Sequence, residues 1–278
     1  MPQSDLLMLD PEGPKFRAWL TRKGCRRPLA TVLHNTWSPT AAQYHGRDTI
    51  RAIEQYHMQT RHFSTIAANA YAVPTGMVVT GRSLTYANWA HALISRDDVE
   101  AEARAIAAGD EQWFNKHAFG LEVVANFDRE SCETGPSGIS YRTAMRVLAV
   151  VHELFGIPSN RLFFHRDVAN KTCPGLLLNR ALVRRELADM LREMPRVLLA
   201  GRFLDVDPTM AGDRMTVDGS LLLNKLGVTS KAARALVHAN GRAFVGELKP
   251  YLLADGWTVE YEDTASGPEL RIERAVRL

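Results

Sequence analysis

The sequence predicts an α/β chain followed by a smaller C-terminal α+β domain. Two observations carry this: β-prone runs alternate with amphipathic helical stretches as far as residue 200, and beyond it the pattern changes to short segments punctuated by glycine and aspartate. A chain of 278 residues with 46% apolar content suits one medium domain over residues 1–200 and a small one over residues 201–278, with apolar material enough for a proper core.

The first β-prone run is Ala30-Thr31-Val32-Leu33-His34-Asn35-Thr36-Trp37, which delivers a histidine near its end. A helix follows over Arg51 to Thr60, with Ile53, Tyr56 and His57 on nearby faces; on this amphipathic helix His57 is expected to pack. Ile66 to Val73, a turn at Pro74-Thr75-Gly76, and Met77 to Gly81-Arg82 make a hairpin. A helix is expected over Ser95 to Ala108, where Ser95 and Asp98 have capping-box spacing. Phe119-Gly120-Leu121-Glu122-Val123-Val124-Ala125 is a strand with one carboxylate in an apolar run. Tyr141 to Phe155 puts Ala144, Val147, Leu148, Val151, Leu154 and Phe155 on one helical face, and Gly156-Ile157-Pro158 ends it. Pro174-Gly175 supplies the break before a helix over Leu176 to Glu193. Near the C-terminus, Gly241 to Val245, Leu248 to Ala254, Gly256 to Tyr261 and Leu270 to Ile272 give strand, helix, strand and strand.

Chemistry concentrates in Phe163-Phe164-His165-Arg166-Asp167-Val168-Ala169-Asn170-Lys171-Thr172-Cys173-Pro174-Gly175. Zinc takes imidazole nitrogen and thiolate sulfur, and a catalytic site keeps three protein ligands and one open position. His34, His165 and Cys173 make that set. Taken singly, a buried cysteine is usually a small core hydrophobe and a histidine at a strand end is usually structural. The three together are far more specific. If its stretch stays extended, Lys171 points the same way as Cys173. A cation there stabilises a developing oxyanion, an effect worth roughly 2.7–4 kcal/mol per donor. His165-Arg166-Asp167 also matches the start of a protein kinase catalytic loop, but Thr172 stands where that loop needs asparagine, and neither a glycine-rich phosphate loop nor Asp-Phe-Gly accompanies it.

The order His34-Asn35-Thr36, Gly120-Leu121-Glu122, His165-Arg166-Asp167 and Lys171-Thr172-Cys173-Pro174-Gly175 resembles the zinc-dependent N-acetylmuramoyl-L-alanine amidases, the family of phage lysozyme-type amidases and peptidoglycan recognition proteins. The resemblance spans roughly residues 25 to 190, and the last motif is its specific part. It implies a central mixed β-sheet flanked by helices, with one Zn2+ in a groove that takes peptidoglycan or a muropeptide. Phage members use a tyrosine near the start of the first hairpin strand; on the register set by Gly76 and Gly81-Arg82, Ala67, Ala68 and Asn69 fall there, and Tyr71 does not match. Glu122 matches a glutamate of a branch that cleaves anhydromuropeptides and is assigned as the general base, held ionised by zinc and Lys171. His91, in Trp89-Ala90-His91-Ala92, matches a groove histidine. Together with Asn35 and Asn69 it is assigned to substrate binding, and Thr36 and Trp37 are further candidates for the groove. His45, His62, His117, His152 and His238 carry no spacing signal.

On this reading Glu122 takes a proton from a zinc-activated water that attacks the lactyl carbonyl, Lys171 helps hold the oxyanion, and Glu122 returns the proton to the leaving L-alanine nitrogen. The alternatives are a binding protein that keeps the groove without hydrolysis and an intracellular enzyme recycling muropeptides.

The net charge of +3 is mild, and residues 201–278 carry ten Lys/Arg against eleven Asp/Glu, so the excess lies in the first part, where it would favour an anionic wall. No basic stripe with interleaved aromatics suggests nucleic acid. Three cysteines, one committed to metal, give no disulfide framework, leaving Cys25 and Cys132 as free thiols. No run approaches the roughly 18 apolar residues of a membrane span, and Met1-Pro2-Gln3-Ser4-Asp5 lacks a signal-peptide start. The expectation is synthesis in the cytoplasm, then action on the wall after release, as for an endolysin. Residues 213–276 resemble the small module named after the copper amine oxidase N-terminal domain, without a metal motif, which implies wall attachment or oligomerisation, with a structural appendage an equal alternative.

Overall fold

The computed structural model describes residues 4–91, 100–193, 196–199, 202–203, 208–211, 214–226, 228–238, 242–254, 257–264 and 267–274. The chain divides into two compact units, Met1–Ala188 and Asp189–Leu278. The first contains β1 (Met8–Leu9), α1 (Pro14–Thr21), β2 (Ala30–Asn35), α2 (Arg47–Gln59), β3 (Ala70–Ala72), β4 (Val78–Thr80), α3 (Ala101–Ala107), α4 (Trp113–His117), β5 (Ala118–Val123), α5 (Gly135–Phe155), β6 (Leu162–Phe164), α6 (His165–Val168) and α7 (Arg180–Glu193), inside which the division falls.

Six of these strands form one mixed sheet in the order β1-β4-β3-β5-β2-β6. The pairings β3–β5, β5–β2 and β2–β6 are parallel, while β4 runs antiparallel to both β3 and β1. All six residues of β2 are buried, as befits an interior parallel strand covered on both faces. Because side chains alternate, Thr31 and Leu33 face one way and Val32 and His34 the other. The long helix α5 covers the first face, and its His152 Nε2 lies 2.8 Å from Thr31 Oγ1. Helix α1 packs beside α5, joined by a buried ion pair of Arg17 and Glu153 at 2.8 Å.

The second face is covered in two patches. At one end Ala30, Val32, Ala118 and Phe163 pack with Ala103, Ala107, Phe114 and Val168 from α3, α4 and α6. At the other, Tyr71 and Val79 pack with Ile50 of α2 and with Ile66. Register aligns His34 of β2, Glu122 of β5 and Tyr71 of β3 in one row across this face. The groove opens between the patches, over the His34 and Glu122 end of that row.

Several boundaries differ from the sequence expectation, each for a local reason. Helix α5 starts at Gly135 rather than Tyr141, because Pro136 in its first turn is a start signal that apolar periodicity does not register. Its stop at Gly156, φ +64°, is as expected. Only Ala70–Ala72 of the anticipated strand Ile66–Val73 is regular, since the Ala67 N–H turns aside to donate to His57 Nδ1 at 3.2 Å. Leu176 does not open a helix. Its N–H donates to Asp128 Oδ1 and that of Leu177 to the Phe127 carbonyl, so α7 begins only after Asn179, whose Oδ1 accepts from Ala181 N–H at 2.9 Å. The expected start at Ser95 with Asp98 lies outside the described residues, and α3 occupies Ala101–Ala107. Strand β1, two residues long, is too short to leave a sequence pattern.

The second unit contains β7 (Arg196–Leu199), β8 (Arg202–Phe203), β9 (Thr209–Ala211), β10 (Arg214–Asp218), α8 (Gly219–Leu226), α9 (Lys231–Ala235), β11 (Arg242–Phe244), α10 (Val245–Ala254), β12 (Trp257–Thr264) and β13 (Gly267–Arg274). It has a three-stranded sheet β11-β10-β9 and a four-stranded sheet β12-β13-β7-β8. Val217, Leu222, Leu223, Leu248, Leu252 and Ile272 lie in its core. The strand, helix, strand, strand order over 242–274 is the one the sequence suggests. Strand β7 lies before residue 200 yet pairs with β13, which sets the start of this unit ahead of the compositional change. Among the described residues no helix is long and apolar enough to cross a membrane.

Candidate metal centre

His34 is fixed by its place at the end of a fully buried strand, and its side chain is 1% exposed. His165 is the first residue of α6, directly after β6, so two neighbouring parallel strands deliver one imidazole each. The two rings stand 4.4 Å apart between centroids. Cys173 comes from the following loop: its Sγ lies 3.9 Å from His34 Nδ1 and accepts the Asn35 N–H at 3.3 Å. One ligand atom from each of the three falls within 4.8 Å of the others.

The remainder of His165-Arg166-Asp167 builds the loop. Asp167 Oδ2 accepts the Phe164 N–H at 2.7 Å and pairs with Arg180 at 2.9 Å. Arg166 donates through its backbone to the Cys173 carbonyl at 2.8 Å and through its guanidinium to the carbonyls of Gly175 and Leu178. Gly175 sits at φ +119°, where a Cβ would meet the Phe127 backbone at 2.3 Å. Only glycine lets the cysteine loop lie this close.

Burial, then the rings of His165 and His91, hold His34 well below the ordinary histidine range. Burial and the nearby Lys171 push His165 down to about 4. Burial, then Glu122, pushes the Cys173 thiol up. All three groups are thus neutral, and neutral imidazole is already the ligating form; the thiol would release its proton to solvent when a metal cation binds its sulfur. Two nitrogens and one sulfur converging without a charged partner form a donor set that suits a divalent metal with one position left open.

The groove over this cluster, about 350 Å³, is lined by Trp37, Phe63, Trp89, Asp128 and Lys171 besides the three ligand candidates. It shares Asn35, Tyr56, His57 and Glu122 with a neighbouring cavity of about 630 Å³ that runs along α2 past His45 and Asp48. Burial pushes Glu122 up to about 8. The expected pairing with Lys171 is not formed: among the described residues Glu122 has no ion-pair partner, because Lys171 is exposed on the cysteine loop and Glu122 is set back in the sheet. Asn35 is 7% exposed, and its Nδ2 has no hydrogen-bond partner.

Two of the expected substrate contacts do not face the groove. Asn69 is fully buried, with Nδ2 donating to the Arg82 carbonyl and Oδ1 accepting from Gly120 N–H, each at 2.9 Å, and from Asn88 Nδ2 at 2.8 Å; these bonds hold it inside the fold. His91 lies behind His34, with its Nδ1 2.9 Å from His34 Nε2, and lines neither cavity. Tyr71 is also buried, beneath α2, consistent with its mismatch to the family tyrosine. His57 moves the other way. It lines both cavities, its ring packed between Tyr56 and Phe63. The aromatic lining of Tyr56, Phe63 and Trp89 is illegible in sequence because periodicity does not separate an exposed ring from a core one. Trp37 is both 60% exposed and at φ +56°, a backbone state in which a bulky side chain is an outlier.

Cys25, Cys132 and Cys173 are free thiols. No curated protein matches this chain. Among solved structures it is similar to Drosophila PGRP-LB, at 22% identity over 54% of this chain and 77% of that one with a TM-score of 0.40. It is similar to Drosophila peptidoglycan recognition protein SD, at 20% identity over 58% and 82% with a TM-score of 0.43. A third is the endolysin N-acetylmuramoyl-L-alanine amidase LysCS of Clostridium intestinale, at 21% identity over 58% and 84% with a TM-score of 0.40. The family model for N-acetylmuramoyl-L-alanine amidase matches residues 24–176, more than half of the sequence and the whole of the segment that carries His34, Glu122, His165 and Cys173. The chain belongs to the N-acetylmuramoyl-L-alanine amidase family.

Proposed function

We propose that this chain is a zinc-dependent hydrolase of the amide bond between N-acetylmuramic acid and L-alanine, acting on peptidoglycan in the manner of an endolysin. The observation that carries it is the convergence of His34, His165 and Cys173 within 4.8 Å at the mouth of a groove, with Glu122 in register beside His34. Zinc at this site supplies Lewis acidity toward a carbonyl and makes water more acidic. Glu122 does the proton work. Its carboxylate accepts a proton from the attacking water and hands it to the departing L-alanine nitrogen. A carboxylate that burial alone lifts to about 8 is poised near neutral pH, and a cation beside it draws it back toward the ionised, basic form. Lys171, exposed at the groove edge, brings its ammonium to the developing oxyanion. Asn35, with a buried and unpaired amide N–H at the junction of the two cavities, offers a donor to a substrate carbonyl.

A second reading, a binding protein without hydrolysis, is favoured by the sequence register, which puts Ala67, Ala68 and Asn69 where phage members carry the assisting tyrosine. A third, recycling of soluble muropeptides inside the cell, shares the same chemistry. For the second unit, wall attachment, oligomerisation and a purely structural role stand as alternatives. The test is mass spectrometry of purified peptidoglycan treated with the full chain, with chelator and after zinc is restored. Zinc-dependent appearance of peptides with a new L-alanine amine supports the hydrolase. Wall binding with no such peptides moves the protein to the recognition class, and cleavage confined to soluble fragments favours recycling.

A further inference from the structure

His91 is 5% exposed, and its Nδ1 makes a hydrogen bond with His34 Nε2 at 2.9 Å, on the side away from Cys173. The direction of that bond can be traced to the backbone. Asn69 has a fixed amide: Nδ2 donates to the Arg82 carbonyl and Oδ1 accepts from Gly120 N–H. Asn88 is fixed in the same way, since its Oδ1 accepts the N–H groups of Trp89 at 2.9 Å and Ala90 at 3.1 Å. Its Nδ2 donates to Asn69 Oδ1 at 2.8 Å, and its other N–H faces His91 Nε2 at 3.3 Å. A donor at Nε2 makes that nitrogen the acceptor, so neutral His91 carries its proton on Nδ1 and donates it to His34 Nε2. His34 then bears its own proton on Nδ1, facing Cys173 Sγ at 3.9 Å. Gly120 makes room for the assembly, because a Cβ there would stand 2.4 Å from Asn88 Nδ2 and 3.1 Å from His91 Cε1.

We propose that His91, anchored through Asn88 and Asn69 against Gly120, is the positioning residue of the metal centre, holding the ring of His34. This rests on the metal reading above. The 3.3 Å contact with Asn88 is the longest link in this chain of bonds.

The full-length protein provides the test through zinc affinity, measured by competition with a chromophoric chelator, and through long-range proton–nitrogen spectra of its histidine side chains. Replacing His91→Leu is expected to weaken zinc binding roughly 10–100-fold, the usual effect of removing such an outer partner. His91→Asn, whose amide oxygen reaches the place of Nδ1, should recover most of the loss. Wild-type His91 is expected to carry Nδ1–H in the metal-free chain. Unchanged affinity in His91→Leu, or a metal-free His91 protonated on Nε2 instead, overturns the proposal; if His91→Leu fails to fold, the wild-type spectra decide alone. A wild-type chain that binds no zinc overturns the metal reading itself, an outcome distinct from the other two.

Discussion

In the proposed mechanism Glu122 carries the proton transfers, and its environment makes a specific demand. The carboxylate has no ion-pair partner among the described residues, so only a cation in the groove can make it a strong base near neutral pH. Glu122→Gln is expected to lower kcat by about 10²–10⁴-fold, the range for removing a general acid–base group, with zinc affinity retained. Lys171→Met should cost about 10²–10³-fold in kcat, because an oxyanion donor is lost. Initial rates of L-alanine amine release, with metal content measured on the same samples, check both. Gly175→Ala should destabilise the chain by more than about 1 kcal/mol, read as a lowered Tm, since both the φ of +119° and the Phe127 backbone oppose a methyl group. At this scale the three ligand candidates were legible in sequence because ligand chemistry restricts residue type. Asn69 and His91 were not: sequence position gave their neighbourhood, and only the fold gives the direction their side chains take.

Between elements, the link from β2 to α5 is the one most open to a pH test. His152 is buried, with Nδ1 donating to the Ile157 carbonyl at 3.0 Å and Nε2 beside Thr31 Oγ1 at 2.8 Å. Burial lowers it to about 4. The unfolded chain therefore takes up a proton near the ordinary histidine value of about 6.5 that the folded chain refuses until about 4. This contribution to stability is full above that ordinary value, falls as pH drops, and levels off near the folded value, by at most about 3 kcal/mol. His34, His57, His91 and His165, also lowered by burial, add slopes of their own in the metal-free chain, so urea melts at several pH values should show His152→Gln reducing the slope by this contribution without removing it; an unchanged slope would contradict the assignment to His152. Helix α5 itself was plain from its apolar periodicity. Its true start, the edge strand β1 and the break at Leu176–Leu178 were hidden because Pro136, a two-residue pairing and two backbone bonds to the 127–128 loop leave no periodic trace.

Over the whole molecule, function follows from incomplete coverage of one sheet face. Helix α5 closes the first face, while the second carries α2 at one end and α3, α4 and α6 at the other, and the row His34–Glu122–Tyr71 runs beneath the gap. The Tyr71 end is sealed and the His34 end open, which is why one carboxylate and three ligand candidates meet in a groove. Alternating strands and helices made the α/β class readable. The extent of the second unit was not, because β7 and β8 are short strands, and β13, with which β7 pairs, lies far along the chain. The measurement that tests the account most directly is a zinc titration of the metal-free full-length chain, with release of L-alanine amines from peptidoglycan followed at each addition. Activity should rise with zinc to a single equivalent and then stop, and Cys173→Ser should shift the curve to higher zinc. Amide cleavage independent of zinc occupancy, or stoichiometric zinc binding without cleavage, would contradict the claim that His34, His165 and Cys173 form a catalytic metal centre.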